Sequence, residues 1–144
     1  MIQLKSAREL ETMAAGGRIL ALTHAYLRTS VRPGMTTQQL DEMAESFIRS
    51  HDGATPAFKG LYGFPGAICI SVNEEIVHGI PSPRRLLADG DIVKFDVGVL
   101  FQGMFTDAAI TVPVGTIDPT TQRLIDVTER SLEAGIAQAG ARIS

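Results

Sequence analysis

The sequence predicts a mixed α/β domain of the α+β kind, and three observations carry that expectation. Two capping boxes, Ser6-Ala7-Arg8-Glu9 and Thr36-Thr37-Gln38-Gln39, each stand before a run of apolar residues at helical spacing. A β-rich run at Ala67–Val72 is followed by a second one around Ile92-Val93-Lys94-Phe95 that leads into a tight hairpin over Val97–Thr106. Asp118-Pro119 then has the form of a helix start, with Asp118 as cap and proline at the first helical position, where its missing N–H costs nothing.

In chain order, Leu10, Met13, Ala14, Gly17, Leu20 and Ala21 predict a helix over 7–29, which Arg32-Pro33-Gly34-Met35 ends. Leu40, Met43, Ala44, Phe47 and Ile48 predict a second helix over 37–50. From His51 to Pro65 the glycines and prolines predict a loop, and the strand 67–72 follows. Asn73-Glu74-Glu75 predicts a solvated turn in which the two glutamates are surface charges without a catalytic role. Ile76–Ile80 predicts a short strand stopped by Pro81 and Pro83, and Asp89-Gly90 the turn before the hairpin. Leu124, Val127, Thr128, Leu132, Gly135 and Ile136 give the face of a last helix over 119–139, with Gly140 as its stop. First and last helices each run into a glycine-containing terminator, as though a second structural repeat began.

Composition narrows the function classes. With 144 residues the chain fits one domain, and 44% hydrophobic with 20% charged residues places it among globular proteins, not disordered or fibrous ones. A net charge of −3 and no basic run longer than Arg84-Arg85 argue against nucleic acid or anionic lipid as a partner. The single cysteine, Cys69, excludes an internal disulfide, and without a signal pattern or membrane-length apolar run the expected location is the cytoplasm.

The chemistry concentrates in Asp96 and Asp107, eleven residues apart on the two arms of the hairpin. In a hairpin with a two-residue turn, residues an odd number apart share a face. With Phe101-Gln102 as the turn the two aspartates are direct cross-strand partners, and with Gln102-Gly103 they are diagonal neighbours. Like charges so placed destabilise a sheet unless something positive offsets them, and hard carboxylate oxygens suit a divalent cation. His78 is the second candidate, because Gly79 after it admits a ligand or another backbone at close range.

These motifs, in order, resemble one family. Gly63-Phe64-Pro65-Gly66-Ala67-Ile68-Cys69-Ile70-Ser71-Val72-Asn73-Glu74-Glu75-Ile76-Val77-His78-Gly79-Ile80-Pro81, then Asp89–Val97, then Gly103–Asp107, closely resemble type I methionine aminopeptidases. The resemblance implies a pita-bread fold of two pseudo-symmetric halves, here the N-terminal half over 1–144, with an antiparallel sheet and helices on one face. It implies removal of the initiator methionine from nascent polypeptides, at the ribosome, by two divalent cations (Co, Mn, Fe or Zn). By the same resemblance Asp96 and Asp107 are metal ligands, His78 contacts the scissile amide, and Cys69 and Phe64 line the methionine pocket.

The family pattern also needs another histidine and two glutamates as ligands, and a second substrate-contacting histidine. Beyond Asp107 the acidic residues are only Asp118, Asp126, Glu129 and Glu133, and the histidines are only His24, His51 and His78. The expectation is therefore half a site, inactive alone, with an unpaired sheet edge or an uncovered apolar face. Phe105-Thr106 before Asp107, and Leu61, depart from the residues common in the family. The alternatives are a metal-free interaction module of the same fold and a sibling hydrolase acting on X-Pro dipeptides.

Overall fold

The computed structural model describes residues 4–140. Helix α1 (Ala7–Ser30) and helix α2 (Thr37–Arg49) start where the capping boxes place them. The Ser6 hydroxyl accepts the Glu9 amide at 3.3 Å while the Glu9 carboxylate accepts the Ser6 amide at 2.7 Å, and Thr36 and Gln39 repeat the exchange. The buried face of α1 differs from the expected one: Gly16, Ile19, Leu20, Thr23, His24 and Leu27 are buried, whereas Leu10, Ala14 and Ala21 are exposed. Ile19 to Leu22 are apolar in an unbroken run, so spacing does not select a side, and contact with the sheet does.

Four strands follow: β1 (Ala54–Pro56), β2 (Cys69–Val72), β3 (Ile92–Phe101) and β4 (Met104–Pro113), all antiparallel to their partners. The sheet is built on β3. Along one edge it pairs with β4 over its whole length, and along the other with β2 near its start and β1 near its end. The segment 51–65 is thus not wholly loop; it holds β1 and a short 3-10 turn, Leu61–Gly63. Three residues paired only through tertiary contact leave no periodic trace.

Val93, Phe95, Val97 and Val99 alternate along β3 onto one face and are fully buried with Leu27, Leu40, Ala44 and Ile48 from the helices. Gly16 lets α1 approach closely: a Cβ there would lie 3.3 Å from Phe101 Cβ and 3.4 Å from Thr106 Oγ1. The opposite face of β3 carries Lys94, Asp96 and Gly98. Helices α1 and α2 pack on the other side, and this face is partly covered by Phe58 and by the segment around Gly79.

Ile76–Ile80 is not a strand. The segment runs as irregular chain, with Ile76, Val77 and Ile80 exposed and His78 in the left-handed region at φ 59°. Only Gly79 meets the outer edge of β2, its carbonyl accepting the Ile70 amide at 3.0 Å, and this single backbone contact does not make a strand of the segment despite its β-branched composition. The preceding turn is tied down by Asn73, whose side chain accepts from the Ile92 amide and donates to Asp91.

Helix α3 (Pro119–Gln138) is capped by Asp118 as expected and ends before Gly140, with Ala139 as its cap. None of its residues is buried, and Leu124, Val127, Leu132 and Ile136 are exposed. Its amphipathic face is formed but uncovered. No described helix is long and apolar enough to cross a membrane.

Candidate active site

The hairpin register decides how the two aspartates meet. Phe101 pairs with Met104, so Gln102-Gly103 is the turn, and both take positive φ, 47° and 82°. Asp96 then lies opposite Ala109, and Asp107 opposite Gly98. The carboxylates are diagonal neighbours on the face of the sheet opposite α1 and α2. Burial and the neighbouring Asp107 carboxylate push Asp96 up to about 6, with His78 pulling the other way. Neither aspartate forms an ion pair among the described residues, where the recorded pairs are Glu45 with Arg49 and with Lys59.

Strand β2 adds Cys69, the cross-strand partner of Asp96 and therefore on the same face. Its thiol is buried, and burial together with Asp96, Asp107 and Asp41 pushes it up to about 11, so it stays neutral at pH 7. His78 reaches the site from the irregular segment beyond β2, close enough for its charge to act on Asp96. Phe64 is half-buried on the loop entering β2, where its amide donates to Leu61 and its carbonyl accepts from Gly60, both at 2.9 Å. The strands thus bring Asp96, Asp107 and Cys69 to one face, a loop adds His78, and Phe64 stands apart on the approach.

Two further residues shape this face and escape sequence reasoning. A Cβ on Gly98 would lie 2.5 Å from Phe58 Cε1, so the Phe58 ring occupies the space that a side chain opposite Asp107 would take. A glycine inside a β-branched run is a signal of such close approach. Asp41, from α2, is buried and accepts the Ala67 and Ile68 amides at 2.8 and 2.9 Å, fixing the entry to β2 two residues before Cys69. Burial raises its pKa while those amides lower it. Nothing local distinguishes this aspartate from a surface residue of an amphipathic helix.

Two carboxylates facing one space, with no basic side chain paired to them among the described residues, offer hard oxygen donors suited to a divalent cation, and the His78 imidazole stands beside them. Among the described residues no three His, Cys, Asp or Glu side chains are grouped tightly enough to enclose one. The donors fit the ion, and the set is short of a full coordination shell.

Comparison with known proteins shows the family and the fold. The model of Metallopeptidase family M24 matches residues 11–144. Methionine aminopeptidase 1 of Bacillus subtilis is 49% identical over 146 residues, which cover all of this chain and 58% of that protein. Methionine aminopeptidase of Clostridium perfringens is 50% identical over 139 residues, 96% of this chain and 55% of that protein. The crystal structure of methionine aminopeptidase from Thermotoga maritima superposes with a TM-score of 0.92 at 37% identity, covering 96% of this chain and 55% of that one. The fold is therefore the pita-bread fold of those enzymes over a part of it, and the chain spans about half the length of the curated relatives it matches. Because the family model extends over nearly the whole sequence, the chain belongs to metallopeptidase family M24.

Proposed function

We propose that this chain is the N-terminal half of a methionine aminopeptidase catalytic domain, and that completed by its C-terminal half it removes the initiator methionine from nascent polypeptides in the cytoplasm. The observation that carries the proposal is the convergence of Asp96, Asp107, Cys69 and His78 on one sheet face in a chain 49% identical to a methionine aminopeptidase.

Each residue has a physical task in this reading. In the completed protein Asp96 and Asp107 would hold two divalent cations, whose charge would offset the burial and the Asp107 repulsion that raise the Asp96 carboxyl. When bound, such ions polarise a peptide carbonyl and lower the pKa of a water. His78 donates a hydrogen bond to the scissile amide, where charge develops during cleavage. Cys69, kept neutral, and Phe64 wall the pocket for the thioether side chain, which soft sulfur and aromatic carbon suit.

The test is cleavage of Met-Gly peptides by the 144-residue chain alone and by the same chain continued with the C-terminal portion of the Bacillus subtilis relative. Turnover is expected only from the completed protein, and turnover by the chain alone would refute the half-site reading. The uncovered apolar face of α3 fits the half-site reading and also suits a second one, a metal-free interaction module. Titration of Mn²⁺ or Co²⁺ into the completed protein and its Asp107→Ala variant separates the two, since indistinguishable binding favours the module.

A further inference from the structure

His78 holds a backbone conformation that L-residues disfavour, at φ 59°, and such a residue persists only where its surroundings over-determine it. The surroundings here are Gly79 and strand β2. The Gly79 carbonyl accepts the Ile70 amide at 3.0 Å, and the Gly79 amide donates to Ser71 Oγ, also at 3.0 Å. The approach is so close that a Cβ on Gly79 would fall 2.1 Å from the Ile70 carbonyl oxygen and 2.9 Å from Ser71 Cα. Gly79 is thus pressed against β2 and held there by two hydrogen bonds, one through the peptide that joins it to His78 and one through the peptide that follows it.

These two bonds differ in kind. The one from Ile70 is made by main chain, and nearly any residue at position 70 would make it. The one to Ser71 is made by a side chain, so it depends on residue type. Ser71 is only 2% exposed, in a strand where a buried hydroxyl costs stability unless it is hydrogen-bonded. It pairs with Lys94, two residues along β3 from Asp96, so its hydroxyl is on the face that carries Cys69 and Asp96.

We propose that Ser71 is a positioning residue for His78: by accepting the Gly79 amide it pins the peptide that follows the left-handed histidine and keeps the imidazole over the aspartate face. This rests on the reading of His78 as the group that contacts the scissile amide. Ser71 itself acts through His78.

The test begins with amide exchange, followed by NMR, in the 144-residue chain. The Gly79 amide is expected to exchange at least about tenfold more slowly than that of Glu74 in the exposed turn. In Ser71→Ala it should exchange roughly five- to tenfold faster than in the parent, and Ser71→Thr, which keeps the hydroxyl, should restore the protection. An unprotected Gly79 amide in the unaltered chain overturns the proposal without recourse to any variant, as does a folded Ser71→Ala chain with unchanged Gly79 exchange and unchanged His78 ring shifts.

In the completed protein, Ser71→Ala should lower kcat with KM held within about twofold, and should add no further loss in a His78→Ala background. Independent losses from the two substitutions overturn the proposal. If His78→Ala leaves kcat intact, the reading of His78 fails and the catalytic role of Ser71 fails with it, while the exchange data still report whether the contact exists.

Discussion

Asp107 lies directly across the hairpin from Gly98, and the Phe58 ring fills the space where a side chain on that glycine would stand. The arrangement keeps the second acidic arm beside an apolar wall and sets the first, Asp96, one diagonal step away. Gly98→Ala should therefore destabilise the chain by about 1 to 3 kcal/mol through overpacking against Phe58. Chemical denaturation is the measurement, and Phe58→Leu in the same chain should recover part of the loss. A neutral Gly98→Ala would show that the ring is free to move aside.

The crowding of Asp96 predicts a pH dependence. Its carboxyl, raised to about 6 by burial and by Asp107, contributes stability that is fully present below its ordinary value of 3.8 and is lost as pH rises through about 6. In metal-free buffer Asp96→Asn should raise the stability at pH 7.5 by about 1 kcal/mol, less than the full shift would give because solvent screens this half-buried group, and leave it nearly unchanged at pH 3.5. Thermal melting at the two pH values tests this, and an equal shift at both would remove the pair as its cause.

His24 should act in the opposite sense. It is buried in α1 with no hydrogen-bond partner for Nε2 among the described residues, and burial holds its pKa below the ordinary 6.5, against the Phe95 and Ala108 carbonyls. Arg28 lowers it further and Asp107 raises it. Its contribution is present above pH 6.5 and lost as pH falls below it, because the unfolded state takes up the proton more readily. His24→Leu should stabilise the chain by about 1 to 3 kcal/mol, more at pH 5 than at pH 8. A stabilisation independent of pH would show that packing alone is responsible.

Asp41 tests how firmly the entry to β2 is held. Asp41→Ala strands the Ala67 and Ile68 amides without an acceptor and should cost about 2 to 4 kcal/mol. Asp41→Asn keeps one acceptor oxygen and should lose less than half of that. Thiol labelling of Cys69 gives a second readout, since loosening the entry exposes the buried sulfur and speeds its modification in Asp41→Ala.

Much of the architecture was legible in local chemistry. Capping boxes act within three residues, so α1 and α2 began where Ser6 and Thr36 required. The Asp118-Pro119 start of α3 was equally local. Strand alternation over a two-residue turn put Asp96 and Asp107 on one face whichever pair of residues formed that turn. Membership of the family followed from motifs that survive in linear order.

Other features were settled only when distant segments met. The register that makes the aspartates diagonal depended on which turn closed, and the side of α1 that is buried depended on the sheet beneath it. The expected strand around His78 gave way because β2 offered it one backbone contact and a serine hydroxyl instead of a continuous edge. Phe58, Asp41 and Ser71 acquire their tasks from partners 40, 26 and 8 residues away, respectively Gly98, the Ala67 amide and the Gly79 amide. Helical and strand periodicity report the chain's relation to its nearest neighbours, whereas these contacts arise from packing across the chain and exist only once the sheet and helices have closed on one another.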